Sequence, residues 1–214
     1  MKLVSIIMTC FNGEKYLKEA IKSIISQSYK NWELIFIDNN STDQSRGIIH
    51  SFKDKRIKYY YLKKTVNLGT VRNIGLSKCS GEFISFLDVD DIWLNNKLEM
   101  QVDKLNADNS IDVLYTNYSN LIDDTEEKIK KKMFNGYCQR NIILSYIKGK
   151  PLTAWLTLII RKNSLLKLDH TFDKNLHITS DFDLIIRMSN FSNFEFLDEY
   201  LCKYRVHQKN ESKN

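Results

Sequence analysis

The sequence predicts an α/β fold with a mixed, mostly parallel sheet flanked by helices, and three observations carry that expectation. Strand-sized apolar runs alternate with helix patterns at short intervals through residues 3–87, the spacing of right-handed βαβ crossovers. Three of those runs end on or just before a polar residue, Thr9, Asp38 or Asp88, and ligands of such sheets sit beyond the carboxyl ends of the strands. The 214 residues are 43% hydrophobic and 27% charged, with one proline and seven glycines. That balance suits one large domain with a real core and argues against disorder or long linkers.

Residues 3–9 form the first β-branched strand run, followed by the turn Asn12-Gly13-Glu14 and a helix with Leu17, Ala20, Ile21, Ile24 and Ile25 on one face. Residues 32–37 form a second buried strand. Ser41-Thr42-Asp43 reads as a turn and N-cap for a helix carrying Ile48, Ile49 and Phe52. Residues 57–62 are a third strand. Asn67-Leu68-Gly69 opens a helix through Val71, Ile74 and Leu76, with Gly81 near its C-cap, and residues 83–87 are the fourth strand. Beyond residue 92 the pattern loosens. Residues 97–105 read as a helix, 113–122 as a strand, 123–132 as a loop or exposed hairpin and 139–147 as a helix. Residues 153–160 read as a strand, 181–188 as an amphipathic helix and 194–204 as a final strand.

The net charge of +6 has two local sources, one in residues 53–64 and one in Lys128, Lys130, Lys131 and Lys132. Both are most simply solvated faces; the functional alternative is attraction to anionic lipid head groups or polyanionic substrates. No arrangement typical of nucleic-acid binding accompanies them. Cys10, Cys79, Cys138 and Cys202 stand far apart without a C-x-x-C pair, which suits isolated thiols in a reducing cytoplasm. The N-terminal residues enter a strand pattern at once, unlike a secretory signal, and no apolar run reaches membrane-spanning length.

The most informative stretch is residues 82–91, where an apolar strand run ends in three carboxylates, Asp88, Asp90 and Asp91. Crowded carboxylates repel one another and resist desolvation unless a cation or hydrogen-bond donors compensate. At a strand's carboxyl end the compensator expected is a hard divalent metal carrying phosphate; a solvated turn is the plain alternative.

Several blocks resemble family 2 glycosyltransferases of the GT-A fold. These are residues 5–17, residues 26–38 followed by Ser41-Thr42-Asp43, Asn67-Leu68-Gly69 with Arg72-Asn73-Ile74-Gly75, Phe86-Leu87-Asp88-Val89-Asp90-Asp91, Ser180-Asp181-Phe182-Asp183-Leu184 and Tyr204-Arg205-Val206-His207. A lone D-x-D is a weak signal, whereas these blocks in this order cover nearly the whole chain. The resemblance implies a single Rossmann-like GT-A domain over residues 1–214. Residues 1–92 would form its nucleotide-sugar half and residues 93–214 its acceptor half.

The resemblance further implies transfer of a sugar from a nucleotide-sugar donor, uridine-linked for preference, to a hydroxyl of a glycan or lipid-linked acceptor in cell-surface polysaccharide or lipopolysaccharide assembly. By similarity, Asp90, Asp88 and His207 would hold Mn²⁺ or Mg²⁺, with Asp88 alternatively touching the ribose. Thr9 and Phe11 would meet the nucleoside, Asp38 would accept from the imide N–H of uracil, and Arg72 would reach the base or diphosphate. Asp181 would be the catalytic base of an inverting displacement. The family's motif there is usually Glu-Asp, and this chain has Ser180-Asp181, which leaves acceptor positioning in doubt. Asp183 competes for the role but would face about 200° away on a helix. Trp155 is either a stacking platform for a sugar or part of the core.

The expected location is the cytoplasm, with peripheral contact to the membrane's inner face through the basic stretches and no nucleic-acid partner. Two rivals stand beside this reading. A sugar-phosphate nucleotidyltransferase would carry a basic, glycine-rich loop after the first strand, where this chain has Thr9-Cys10-Phe11-Asn12-Gly13-Glu14. A nucleotide-sugar-binding module would bind without turnover.

Overall fold

The structure is a computed structural model in which residues 1–122, 125–127, 154–176, 179–208 and 210 are described. The first half alternates as the pattern requires: β1 (Val4–Cys10), α1 (Glu14–Ile25), β2 (Trp32–Asp38), α2 (Ser45–Ser51), β3 (Ile57–Tyr61), α3 (Leu68–Ser77) and β4 (Phe83–Phe86). There follow β5 (Ile92–Trp93), α4 (Lys97–Ala107), β6 (Val113–Ile122), β7 (Thr125–Glu127), a 3-10 turn (Trp155–Thr157), β8 (Ile159–Arg161), α5 (Lys162–Leu165), α6 (Ser180–Met188) and β9 (Phe194–Val206).

The strands make one sheet in the order β3-β2-β1-β4-β8-β6-β9-β5, with β7 folded back on β6 as a hairpin. The block β3-β2-β1-β4 is wholly parallel, as is the long β6–β9 pair. The three-residue β8 lies antiparallel to both β4 and β6, so β6 and β9 run in the same direction as β1 and β4. Their carboxyl ends therefore share one rim. Register aligns Cys10 with Asp38 and Asp38 with Tyr61, which places the exits of β1, β2 and β3 at one level.

Alternate residues of each strand face opposite sides of the sheet, and two apolar layers result. Ile6, Met8, Leu34 and Phe36 pack with Leu17 and Ile21 of α1, Ile49 of α2 and Leu98 and Val102 of α4. Ile7, Ile35 and Ile37 pack with Val71 of α3 and Leu184, Ile185 and Met188 of α6. Burial on both faces is why these strands read as continuous apolar runs.

Four expectations need correction or comment. Residues 153–160 were expected to form one strand, but the described part divides into the 3-10 turn and β8. An apolar run is buried in either conformation, and periodicity cannot separate the two. Gly81 is not the C-cap: α3 ends at Ser77 with Lys78 as its C-cap, and a Cβ on Gly81 would lie 2.6 Å from the Leu3 carbonyl oxygen, so the glycine permits close strand approach. The segment 41–43 precedes α2, whose N-cap is Gln44; Asp43 still caps in effect, its Oδ1 accepting from the Ser45 N–H at 2.9 Å. The helix expected at 139–147, Cys138 and the basic run 128–132 lie outside the described residues.

In the other basic stretch, Arg56 pairs with Asp54 and lies over the Trp32 ring at 3.6 Å, and Lys58 pairs with Glu33. These contacts occupy part of the charge that was read as a membrane-facing patch. No helix of the described residues is long and apolar enough to cross a membrane.

Candidate active site

The loops beyond the shared rim enclose a cavity of about 1530 Å³ whose wall includes Thr9, Phe11, Arg72, Asp88, Asp90, Trp155, Asp181 and His207. Seven of the eight residues assigned from sequence thus meet in one place, together with the undecided Trp155. The exception is Asp38.

On the β1–β2 side, the exit loops are bonded to each other. Asn12 and Asn40 adopt left-handed backbone, with φ of 53° and 65°, a conformation asparagine tolerates better than most residues. The Asn12 side-chain oxygen accepts from the Thr42 N–H at 2.8 Å, and the Asn12 N–H donates to Ser41 Oγ at 3.1 Å. Phe11 remains 55% exposed, an apolar ring presented at the cavity mouth. Asp38 is fully buried. Its Oδ1 accepts from the Ser41 N–H and its Oδ2 from the Tyr59 hydroxyl, both at 2.8 Å. The expected acceptor for a base N–H is thus turned inward to brace the loop, and burial with this carboxylate partner pushes the Tyr59 hydroxyl pKa up. Its neighbour Asn39 lines the cavity instead.

The β4 exit forms a turn in which the Asp91 N–H donates to the Asp88 carbonyl. Asp90 Oδ2 lies 2.9 Å from His207 Nε2, joining the β4 exit to the end of β9. Asp91 points inward and accepts from the Arg205 N–H at 2.9 Å. Burial, and after it the charges of Asp90 and Asp88, raises the Asp91 carboxyl well above the usual carboxylate range. The other two carboxylates of the turn, Asp88 and Asp90, line the cavity, a setting that favours a cation.

The donor set fits a hard divalent ion. Among the described residues no group of three or more such ligands is preformed. Magnesium-type sites, however, take one or two carboxylates and complete the sphere with water and substrate phosphates. Asp90 with His207 and Asp88 close by meets that requirement, and the imidazole suits Mn²⁺ better than Mg²⁺.

Sequence reasoning assigned no role to Arg205, although it stands in one of the recognised blocks. It is 3% exposed, donates through Nε to the Asp90 carbonyl and through Nη2 to Glu19 on α1, and lies 4.6 Å from the Tyr16 ring centroid. Tyr16 in turn meets the His207 ring at 5.1 Å. Arginine and tyrosine here clamp the β9 end against the acidic turn. The adjacency of Arg205 to His207 was the signal that could have found it.

On the far wall, α6 begins at Ser180, and Asp181 in its first turn faces the cavity. Asp183 is engaged elsewhere, accepting from Arg187 Nε at 2.9 Å and Nη2 at 2.6 Å. Arg72, on α3, donates from Nη1 to Ser180 Oγ at 3.0 Å and lies 4.6 Å from the Trp155 ring centroid. Trp155 packs on Phe86 at 4.0 Å, as a core residue would, and also lines the cavity.

The segment leading to α6 is fastened to α3. Asn73 donates to the Phe172 carbonyl at 2.8 Å and accepts from the Phe172 N–H at 3.1 Å. A Cβ on Gly69 would lie 2.6 Å from the Asp173 carbonyl oxygen, so only glycine allows that approach.

Comparison with known proteins gives this geometry a context. The structure resembles Staphylococcus aureus TarS 1–349 in complex with UDP, with a TM-score of 0.82, 24% identity, and 96% of this chain and 61% of that one covered. It also resembles the Pyrobaculum calidifontis mannosyltransferase PcManGT in complex with GDP-Man and Mn²⁺, with a TM-score of 0.71, 15% identity, and coverage of 96% and 57%. At these identities the likeness concerns the fold. An uncharacterized glycosyltransferase of Rickettsia typhi is 36% identical over 211 residues, 96% of this chain and 64% of the relative. The Escherichia coli UDP-Glc:alpha-D-GlcNAc-diphosphoundecaprenol beta-1,3-glucosyltransferase WfgD is 43% identical over 116 residues, 54% of this chain and 46% of the relative. The chain therefore spans less than two thirds of the length of either curated relative. The model described as Glycosyl transferase family 2 matches residues 5–187, and the chain belongs to that family.

Proposed function

We propose that this chain catalyses inverting transfer of a sugar from a nucleotide-sugar donor, a UDP-sugar, to a hydroxyl of a glycan or lipid-linked acceptor in cell-surface glycan assembly. The observation that carries the proposal is the convergence of the Asp90–His207 pair and Asp181 on one cavity at the sheet's carboxyl rim. The UDP preference is supported by the donor in the E. coli relative's name and by the UDP bound to TarS. The lipid-linked acceptor class follows the same relative's name.

In this reading Phe11 stacks on the base and Thr9 and Asn39 hydrogen-bond the nucleoside, with Asp38 holding the Ser41 loop that frames it. Asp90, Asp88 and His207 would hold Mn²⁺ or Mg²⁺, which when bound supplies Lewis-acid neutralisation of the leaving diphosphate. Asp181 accepts the proton of the acceptor hydroxyl as its oxygen attacks the anomeric carbon and the bond to the diphosphate oxygen breaks. One displacement inverts the anomeric centre. The domain acts as a single unit, its donor side in residues 1–92 and its acceptor side in residues 93–214. It works in the cytoplasm and meets membrane-borne acceptors at the inner face.

Calorimetric titration with UDP-, GDP-, CMP- and dTDP-sugars, with and without Mn²⁺, tests the donor assignment. Metal-enhanced binding of a UDP-sugar is expected. Absence of binding by any nucleotide sugar would refute the reading, and binding without free nucleoside diphosphate release on any acceptor would reduce it to a binding module.

A further inference from the structure

Arg72 carries a charge that its protein surroundings do not balance. The side chain is 4% exposed and lines the cavity. Its described partners are the neutral Ser180 hydroxyl and the faces of Trp155 and Phe172, at 4.6 and 5.8 Å. Among the described residues, no carboxylate forms an ion pair with it. The contrast with the other buried arginine of the cavity is direct, because Arg205 pairs with Glu19. A guanidinium cannot shed its proton to escape burial. Ring faces and one hydroxyl offset only part of the cost of taking it out of water.

The position of the imbalance also matters. Ser180 immediately precedes Asp181 in the first turn of α6, so the Arg72 fork is held beside the group proposed to deprotonate the acceptor. In the proposed function the diphosphate is met by the metal that Asp90 and His207 would hold, rather than by Arg72 as the family resemblance had suggested. We propose that Arg72, Ser180 and Trp155 form a receptor for an anionic oxygen group, carboxylate or phosphate, borne by one of the two sugars that react. This deepens the proposed function and rests on it. A planar fork recognises such groups through paired, charge-assisted hydrogen bonds, and the indole beneath holds the guanidinium in place.

The test compares charged and neutral twins by calorimetry with the full chain and Mn²⁺. UDP-glucuronate against UDP-glucose probes the donor sugar. With UDP saturating, methyl glucuronide against methyl glucoside and N-acetylglucosamine 1-phosphate against N-acetylglucosamine probe the acceptor. At least one charged twin should bind about tenfold more tightly than its neutral partner, as one charge-assisted contact gives. The preference should vanish in R72Q, and also in S180E, which supplies the fork with a carboxylate of its own. Should R72Q not fold, loss of the preference in S180E decides the matter.

Equal binding of every pair by the wild type, or a preference that survives in R72Q, would overturn the inference. So would an R72Q that loses as much affinity for UDP alone, since the diphosphate would then be the partner while donor binding stood. If the wild type binds no UDP compound at all, the UDP assignment fails first, and this inference falls with it.

Discussion

The two halves of the sheet are built on different terms. From β1 to β4 every strand is parallel, β1, β2 and β4 are buried, each crossover is a helix, and the rim follows from register. From β5 onward the chain uses antiparallel pairings, a 3-10 turn, the β7 hairpin and a register shift between Thr116 and Tyr118. The first half is specified by local periodicity; the second is held by long-range contacts onto the first. The candidate site takes Thr9, Phe11 and Asn39 from the regular half and Asp181 and His207 from the irregular one. Chemistry therefore depends on how firmly the second half is pinned.

The sharpest way to break this comparison is Asp181→Asn. If the irregular half supplies the base and the regular half the donor site, transfer should fall by about 10²–10⁴, while titration shows donor affinity unchanged. Transfer at the wild-type rate would remove the base from α6.

Next in size is Lys97, which is fully buried on α4 and bonds Gln101 at 2.6 Å and Ser85 of β4 at 3.4 Å. Burial pushes its ammonium pKa down to about 8 from 10.5. Because the folded-state value is lowered, the unfolded chain binds more protons between these values. The penalty is complete below the folded value and fades as pH rises towards the unfolded one. Lys97→Met should therefore raise stability at pH 7 by up to about 3 kcal/mol, because a tenfold change in proton affinity is worth about 1.4 kcal/mol. The gap to wild type should narrow from pH 7 to 9 in urea unfolding. The window stops at pH 9 because the neighbouring Cys202 thiol, pushed up to about 12 by burial, works in the opposite sense above it. A gap independent of pH would show that Lys97 stays protonated in the fold, its pKa not lowered by burial.

Smaller effects test the seam. His207→Ala should weaken Mn²⁺-dependent nucleotide binding about tenfold, within the range typical of groups around a metal, and leave metal-free binding alone. Asn73→Ala removes both bonds to Phe172 and should cost about 1–2 kcal/mol in thermal unfolding, with a lower kcat and little change in donor affinity. A change confined to donor affinity would contradict the view that Asn73 positions the segment leading to Asp181.

How much the sequence revealed follows the same division. The strands and helices through β4 were legible because apolar period and polar punctuation agreed there. The acidic turn and Asp181 were legible as motifs. The burial of Asp38 was not legible, because sequence places a carboxylate at a rim without saying which way it turns; only the fold brings the Tyr59 hydroxyl and the Ser41 N–H to it. Arg205 and Asn73 act on partners about a hundred residues away or more, a kind of relation no local window contains.

The three residues of β8 form the seam between the two regions. Arg161 at its end reaches back to the carbonyls of Leu105 and Ile111, while Lys162 holds that of Cys79. Anyone grafting a foreign acceptor region onto this scaffold would have to carry that short keystone across intact, because a junction cut through it would unzip the sheet down the middle.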